Sequence, residues 1–296
     1  RQAYHENILQ SRTDIYRFFF VLLMSETNIN ERILLSKLKK KNMNVIMIGA
    51  GNVATHIALR LKEKGHTPIQ VWSRTEESAK TLAEQTGSRP VTSIDDIRTD
   101  ADIYIISVKD DALQDVAKQL GEKPINGIVI HTAGSMAMDV LEGSCKHYGV
   151  LYPMQTFSKA KTVDFGHIPC FIEASDEETK RTVRELAEIL SDHVYEMNSE
   201  ERQWLHVAAV FACNFANCCF GMADDILRKH GLDFGVMLPL VEETVSKLRT
   251  LKPSEAQTGP ARRKDMNVIN KHLDMLKDQK EKDVYRMMTE EIMKRS

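Results

Sequence analysis

The chain is poor in cysteine, has no excess of either charge, and has no histidine spacing suited to a metal. Its five cysteines, Cys145, Cys170, Cys213, Cys218 and Cys219, are odd in number and include no C-x-x-C pair. That argues against a disulfide framework or a thiolate zinc site, and the thiols are read as reduced, in a cytoplasmic protein. Lys and Arg number 40 against 42 Asp and Glu, so a net charge of -2 offers no basic field for nucleic acid. The ten histidines form no H-x-x-x-H or H-E-x-x-H pair, and no metal is expected. There is no internal repeat, low-complexity tract or Gly/Ser-rich linker. The apolar run at 18–24 has no small-residue cleavage site after it and is too short to span a bilayer. A basic cluster, Lys37 and Lys39-Lys40-Lys41, leads into Met43. Residues 1–42 are therefore expected to be a leader, disordered or non-native, with Met43 the functional start. An amphipathic helix on a membrane surface is the alternative for that segment; no membrane partner is expected for the rest.

What is present is rhythm. With 296 residues and 42% hydrophobic side chains, two domains with sizeable cores are expected. Runs at 44–48, 69–72, 102–108 and 125–131 are short and mostly apolar, as strands covered on both faces are. Shorter strand candidates stand at 91–95, 150–152 and 170–173. Helical patterns at 53–64, 76–85, 112–120 and 176–191 alternate with them. Such alternation implies a parallel sheet with right-handed crossovers. From Ser199 the pattern is helical almost throughout, at 199–230, 233–251, 264–277 and 279–295. The expected fold is α/β, a doubly wound parallel Rossmann sheet at 43–197, followed by an all-α C-terminal domain at 198–296 for substrate and dimerisation.

The first strand runs into Gly49-Ala50-Gly51-Asn52-Val53-Ala54 and then a helix, which is where a dinucleotide fingerprint must stand. Gly49 permits the tight turn, Gly51 lets backbone approach the pyrophosphate, and Ala54 is small enough for close packing of helix on strand. The free N–H groups at the helix start, from Asn52 and Val53 onward, suit phosphate. The second strand ends Trp72-Ser73-Arg74-Thr75. No acid is present at 72–74 to hold a ribose 2′-hydroxyl, while Ser73 and Arg74 suit a 2′-phosphate, so the cofactor is read as NADP. Val108 and Lys109, at the end of the 102–108 strand, are expected to border the nicotinamide ribose.

The G-A-G-N-V-A turn, the W-S-R strand end and Ser107-Val108-Lys109-Asp110 resemble the superfamily of ketopantoate reductase, pyrroline-5-carboxylate reductase and 6-phosphogluconate dehydrogenase. Three further motifs narrow this: His131-Thr132-Ala133-Gly134-Ser135, Tyr152-Pro153-Met154-Gln155-Thr156-Phe157-Ser158, and Thr258-Gly259-Pro260-Ala261-Arg262-Arg263-Lys264-Asp265. They resemble a bacterial family of Rossmann-like proteins with a C-terminal domain of unknown function, over about 43–290. The resemblance implies an NADP-binding Rossmann domain joined to a helical domain through which related reductases dimerise.

Several reductases of that superfamily place a lysine on the first helix of the second domain, and none stands at 203–217 here. His206 is the titratable group in its centre and could act as general acid. At about 100° per residue Asn217 returns almost under His206, and Asn214 lies some 80° away. Ser135 and Thr132 follow a strand and should meet the cofactor edge, with Gln155 lining the same crevice. Arg262 could hold a substrate carboxylate or phosphate, oriented by Asp265. The catalytic candidates are His206, Asn214 and Ser135, and the substrate candidates Thr132, Gln155 and Arg262. The expected activity is hydride transfer between NADP and a small anionic carbonyl, imine or hydroxy-acid compound, by a homodimer. A non-catalytic NADP(H) sensor is the alternative, and transfer between NADP and a deazaflavin a third reading.

Overall fold

The structure is a computed structural model and describes residues 43–295. The leader expected at 1–42 lies outside the described residues. The elements of the sheet region are β1 (Val45–Ile48), α1 (Asn52–Glu63), β2 (Gln70–Trp72), α2 (Glu76–Thr86), β3 (Arg89–Val91), β4 (Ile103–Ile106), α3 (Asp110–Gly121), β5 (Ile128–His131), β6 (Tyr148–Pro153), β7 (Cys170–Ala174), α4 (Glu177–Leu190) and β8 (Val194–Glu196). They form one eight-stranded sheet in the order β3-β2-β1-β4-β5-β6-β7-β8.

All four residues of β1 and of β4 are buried, which is why these strands read as unbroken apolar runs. Alternate residues serve opposite faces. Val45 and Met47 pack with Ile57 and Leu61 of α1 and Leu186 of α4, while Ile46 and Ile48 pack with Leu113 and Leu120 of α3. Helices therefore cover both faces, the doubly wound arrangement the alternation implies. Pro90 stands in β3, where an edge strand tolerates the missing N–H.

One departure from an all-parallel sheet occurs. β7 runs antiparallel to β6, with Leu151 opposite Ile172. The connection at 154–169 holds a single 3-10 turn at Phe165–His167 and no crossover helix, so the chain returns in the opposite direction. The helix α4 then restores a crossover, and β8 lies parallel to β7.

The described chain forms two compact units, dividing between His206 and Val207. The division falls inside a continuous helical stretch from Ser199 to Lys229, made of α5 (Ser199–Ala209), a π-helical segment (Val210–Phe215) and α6 (Ala216–Lys229). The first turns of α5 stay with the sheet because Arg202 is buried there, 1% exposed, with one guanidinium nitrogen 2.6 Å from Glu173 of β7. The second unit continues with α7 (Leu238–Lys247), α8 (Pro253–Ala256), α9 (Met266–Met275) and α10 (Gln279–Lys294). The stretch expected as one helix at 233–251 is split into a 3-10 turn at Phe234–Met237 and α7, with Pro239 in the first turn of α7. Lys229 pairs with Glu281 at 2.8 Å, and the His272 ring lies 2.8 Å from the Tyr285 hydroxyl. Among the described residues of this unit, Ala261 and Ile269 alone are buried. The 199–229 helix is also long and apolar enough, by length and composition, to cross a bilayer.

Candidate active site

The glycine turn sits between the carboxyl ends of β2 and β4. Gly49 donates its N–H to Trp72 O at 2.8 Å and has φ +123. A Cβ built there would lie 2.1 Å from Ser107 O, so glycine is required by both conformation and close approach. Gly51 differs: its φ is ordinary at -78, and a Cβ would meet nothing within 4 Å. Nothing in the protein itself demands glycine at 51, which fits a backbone left open to phosphate. Ala54 is fully buried against the sheet, and Ala50 is nearly so. The N-terminus of α1 has no side-chain cap and no acid in its first turn, leaving its free N–H groups and partial positive charge for an anion. Val53 packs partly into the core, so it contributes only backbone. The Asn52 side chain donates to Phe157 O at 2.9 Å, so Asn52 too offers its N–H.

Ser73 is buried, and its N–H donates to Val91 O at 3.2 Å. Arg74 is exposed beside it, and no salt bridge joins it to another described residue. These residues fit an NADP-type dinucleotide: an anion cradle at 49–54 and an uncommitted guanidinium at the end of β2. Val108 packs partly into the core, and Lys109, exposed, is the N-cap of α3.

A second group of residues gathers at the ends of β5 and β6. Thr132 is buried, and its hydroxyl donates to Ser107 Oγ at 3.0 Å, which ties β5 to the end of β4. The Ser135 hydroxyl donates to the Asp110 carboxylate at the start of α3. Tyr152, at the end of β6, places its hydroxyl 3.2 Å from His206 Nδ1, with the rings edge to face. Both close over Gly134, where a Cβ would lie 2.7 Å from His206 Nδ1 and 2.8 Å from Tyr152 Cζ. His131, at the end of β5, is fully buried, and burial first, then the Arg202 charge, pushes its pKa down to about 3. It is neutral at physiological pH and holds the turn by accepting the Ala133 N–H at 3.2 Å.

The structure thus brings Thr132, Ser135 and His206 together within the first unit. Gln155 lies on the exposed loop after β6 and accepts the Thr156 N–H at 2.8 Å; that loop is tied to α1 through Asn52 and His56. Asn214 and Arg262 belong to the second unit. Asn214 is exposed in the π-helical segment, where the 100° count from His206 does not hold because the residues are wound more loosely. Arg262 is exposed in the turn before α9, and Asp265 caps that helix through Val268 N instead of orienting an arginine. Sequence reasoning missed Tyr152 as a partner of His206, and Gly134 as the residue that lets them meet. Its only signal for Tyr152 was a place at the head of a lining segment.

Two family models match the sequence: "NADP oxidoreductase coenzyme F420-dependent" over residues 44–134, and "Domain of unknown function (DUF2520)" over 168–292. The structure is similar to that of BF3122 from Bacteroides fragilis, provisionally named an NADP oxidoreductase. The two share 44% identity and a TM-score of 0.83, over 86% of this chain and 98% of that one. The chain belongs to this family of NADP oxidoreductases. More distant structures share the fold. A pyrroline-5-carboxylate reductase from Coxiella burnetii has 15% identity and a TM-score of 0.54 over 86% of this chain and 97% of its own. An imine reductase from Myxococcus stipitatus, in complex with NADP+, has 14% identity and a TM-score of 0.57 over 85% and 92%. No curated protein matches. The first family model ends at Gly134, the residue on which Tyr152 and His206 close.

Proposed function

We propose that this oxidoreductase transfers a hydride between NADP(H) and a small, anionic carbonyl, imine or hydroxy-acid compound, with His206 as proton donor and Tyr152 as its partner. The observation that carries this reading is the 3.2 Å pairing of Tyr152 hydroxyl and His206 Nδ1 over Gly134, at the strand ends where ligands bind in this fold. NADP(H), when bound, supplies or accepts the hydride. Residues 49–53, Ser73 and Arg74 would hold its phosphates, and Val108 and Lys109 would border its ribose. Charge arising on a substrate oxygen or nitrogen needs a proton, and an imidazole donates one near neutral pH. Tyr152 fixes the ring through Nδ1, whose N–H donates to the hydroxyl when the ring carries both protons, and this leaves Nε2–H to be given to the substrate. Ser135, with its proton on Asp110, presents its oxygen as an acceptor.

The test is NADPH oxidation across a panel of ketoacids and imines, and NADP+ reduction by hydroxyacids. His206→Ala is expected to lose turnover while binding NADPH normally. Unchanged turnover would remove His206 from the chemistry. Tight NADPH binding without oxidation of any panel member, with or without a deazaflavin, would favour a sensor.

The same reading includes a homodimer formed through the second unit. Its support is the apolar surface there, with Phe211, Val236, Leu240 and Met287 each at least 60% exposed. Light scattering tests it, and cell fractionation separates a cytoplasmic dimer from a membrane protein. The five free thiols support the cytoplasm.

A further inference from the structure

We propose that Arg202 and Gln203 are positioning residues, which clamp the turn at 133–138 onto the helix face that carries His206. The proposal rests on the reading of His206 as proton donor. The turn after β5 has no ladder of its own until the 3-10 helix Met138–Leu141, so its backbone groups need other partners. Four find them in side chains. Ala133 N–H donates to His131 Nδ1; Gln203 Nε2 donates to Ser135 O at 3.1 Å; Arg202 Nη2 donates to Met136 O at 2.8 Å; Met138 N–H donates to Ser199 Oγ at 2.8 Å.

Three of those four partners stand in the first turns of α5. Arg202 and Gln203 precede His206 by four and three residues, so all three share one face. The turn and the His206 ring are therefore held to one rigid element. Gly134 lies between the clamped carbonyl of Ser135 and the bound N–H of Ala133, directly under Tyr152 and His206.

The burial of Arg202 is otherwise hard to explain. A buried ion pair is weak evidence for stability, since packed apolar side chains often do as well. What the planar fork adds is geometry: one arm on Glu173 Oε2 at 2.6 Å, the other on Met136 O. Glu173 also accepts the Ser199 N–H and hydroxyl. Through Arg202 the central sheet, the turn and the helix share one fixed register.

The test uses the full chain with 15N-labelled histidine, His206 being assigned from the resonance missing in His206→Ala. Gln203→Met keeps the volume and removes the donor; Arg202→Lys keeps the charge and removes the fork. Both are expected to shift the His206 ring resonances while NADPH binds as in the parent. With a substrate in hand, kcat falls about tenfold to a hundredfold, and KM moves less. Unchanged His206 resonances in folded Gln203→Met overturn the clamp, and that variant decides alone if Arg202→Lys does not fold. Shifted resonances together with full turnover by His206→Ala would leave the clamp standing and remove the donor.

Discussion

Gly134→Ala tests the core of the site with a single methyl. The new carbon would lie 2.7 Å from His206 Nδ1, 2.8 Å from Tyr152 Cζ and 2.9 Å from Tyr152 Cε2. Ordinary contact begins near 3.4 Å, so the two rings must retreat by about 0.5–0.7 Å. The turn cannot yield instead, because Ser135 O and Met136 O are held by Gln203 and Arg202. Overpacking of this kind costs about 1–3 kcal/mol. Stretching the 3.2 Å Tyr152–His206 bond forfeits about 1 kcal/mol more. For a unit of this size a loss of 2 kcal/mol lowers Tm by about 4–8 °C. Turnover should fall about a hundredfold, since a displacement near 1 Å has that effect on aligned groups. NADPH affinity, measured by fluorescence titration, should be unchanged. Gly134→Ala combined with His206→Ala removes the closest collision, so their stability losses should couple by at least about 0.5 kcal/mol. A wild-type Tm for Gly134→Ala, or strictly additive losses in the double variant, would refute the packing argument.

Arg74→Ala should weaken NADP(H) binding about tenfold or more, the loss of one charge-assisted contact, and leave NAD(H) binding unaltered. Equal losses for both dinucleotides in titration would move the 2′-phosphate elsewhere. Gly49→Ala combines a backbone at φ +123 with a carbon 2.1 Å from Ser107 O, and should abolish dinucleotide binding and lower Tm. Retained affinity would mean that the turn shifts freely. Acid should unfold the protein through His131. Its folded pKa is about 3 against an ordinary 6.5, so below 6.5 the unfolded chain binds the extra proton and stability falls. The slope approaches about 1.4 kcal/mol per pH unit between those values, measurable by urea unfolding at pH 7.5 and pH 5. His131→Asn should flatten that slope. Asp176, held low first by the Thr179 hydroxyl, adds its own loss only below its ordinary 3.8, outside this comparison.

The Rossmann half was legible because its signals are local. Burial on both faces writes itself as apolar runs, and a phosphate turn must be glycine-rich between a strand and a helix. The reversal of β7 left no such mark. A strand covered on both faces reads alike in either direction, and only the missing crossover helix at 154–169 fixes its sense. The reading of Asn214 met a different obstacle. Helical phase was counted at a constant angle, but the π-helical segment at Val210–Phe215 breaks the count, and no residue type there announces it.

The candidate site shows where local reading ends. His206 was visible as the one titratable side chain of an apolar stretch, yet its partner stands 54 residues earlier on β6. Gly134 entered the sequence reading only as one residue of the His131–Ser135 motif, with no role of its own. Its role in the fold is to lack a side chain, leaving room for two rings from different elements. Arg202 drew no reading from the sequence, and Glu200 and Glu201 beside it are exposed. A pattern of single residues cannot distinguish an arginine in water from one whose fork is spent on Glu173 and Met136. Only the fold makes that distinction, because the partner carbonyl belongs to a turn 66 residues away.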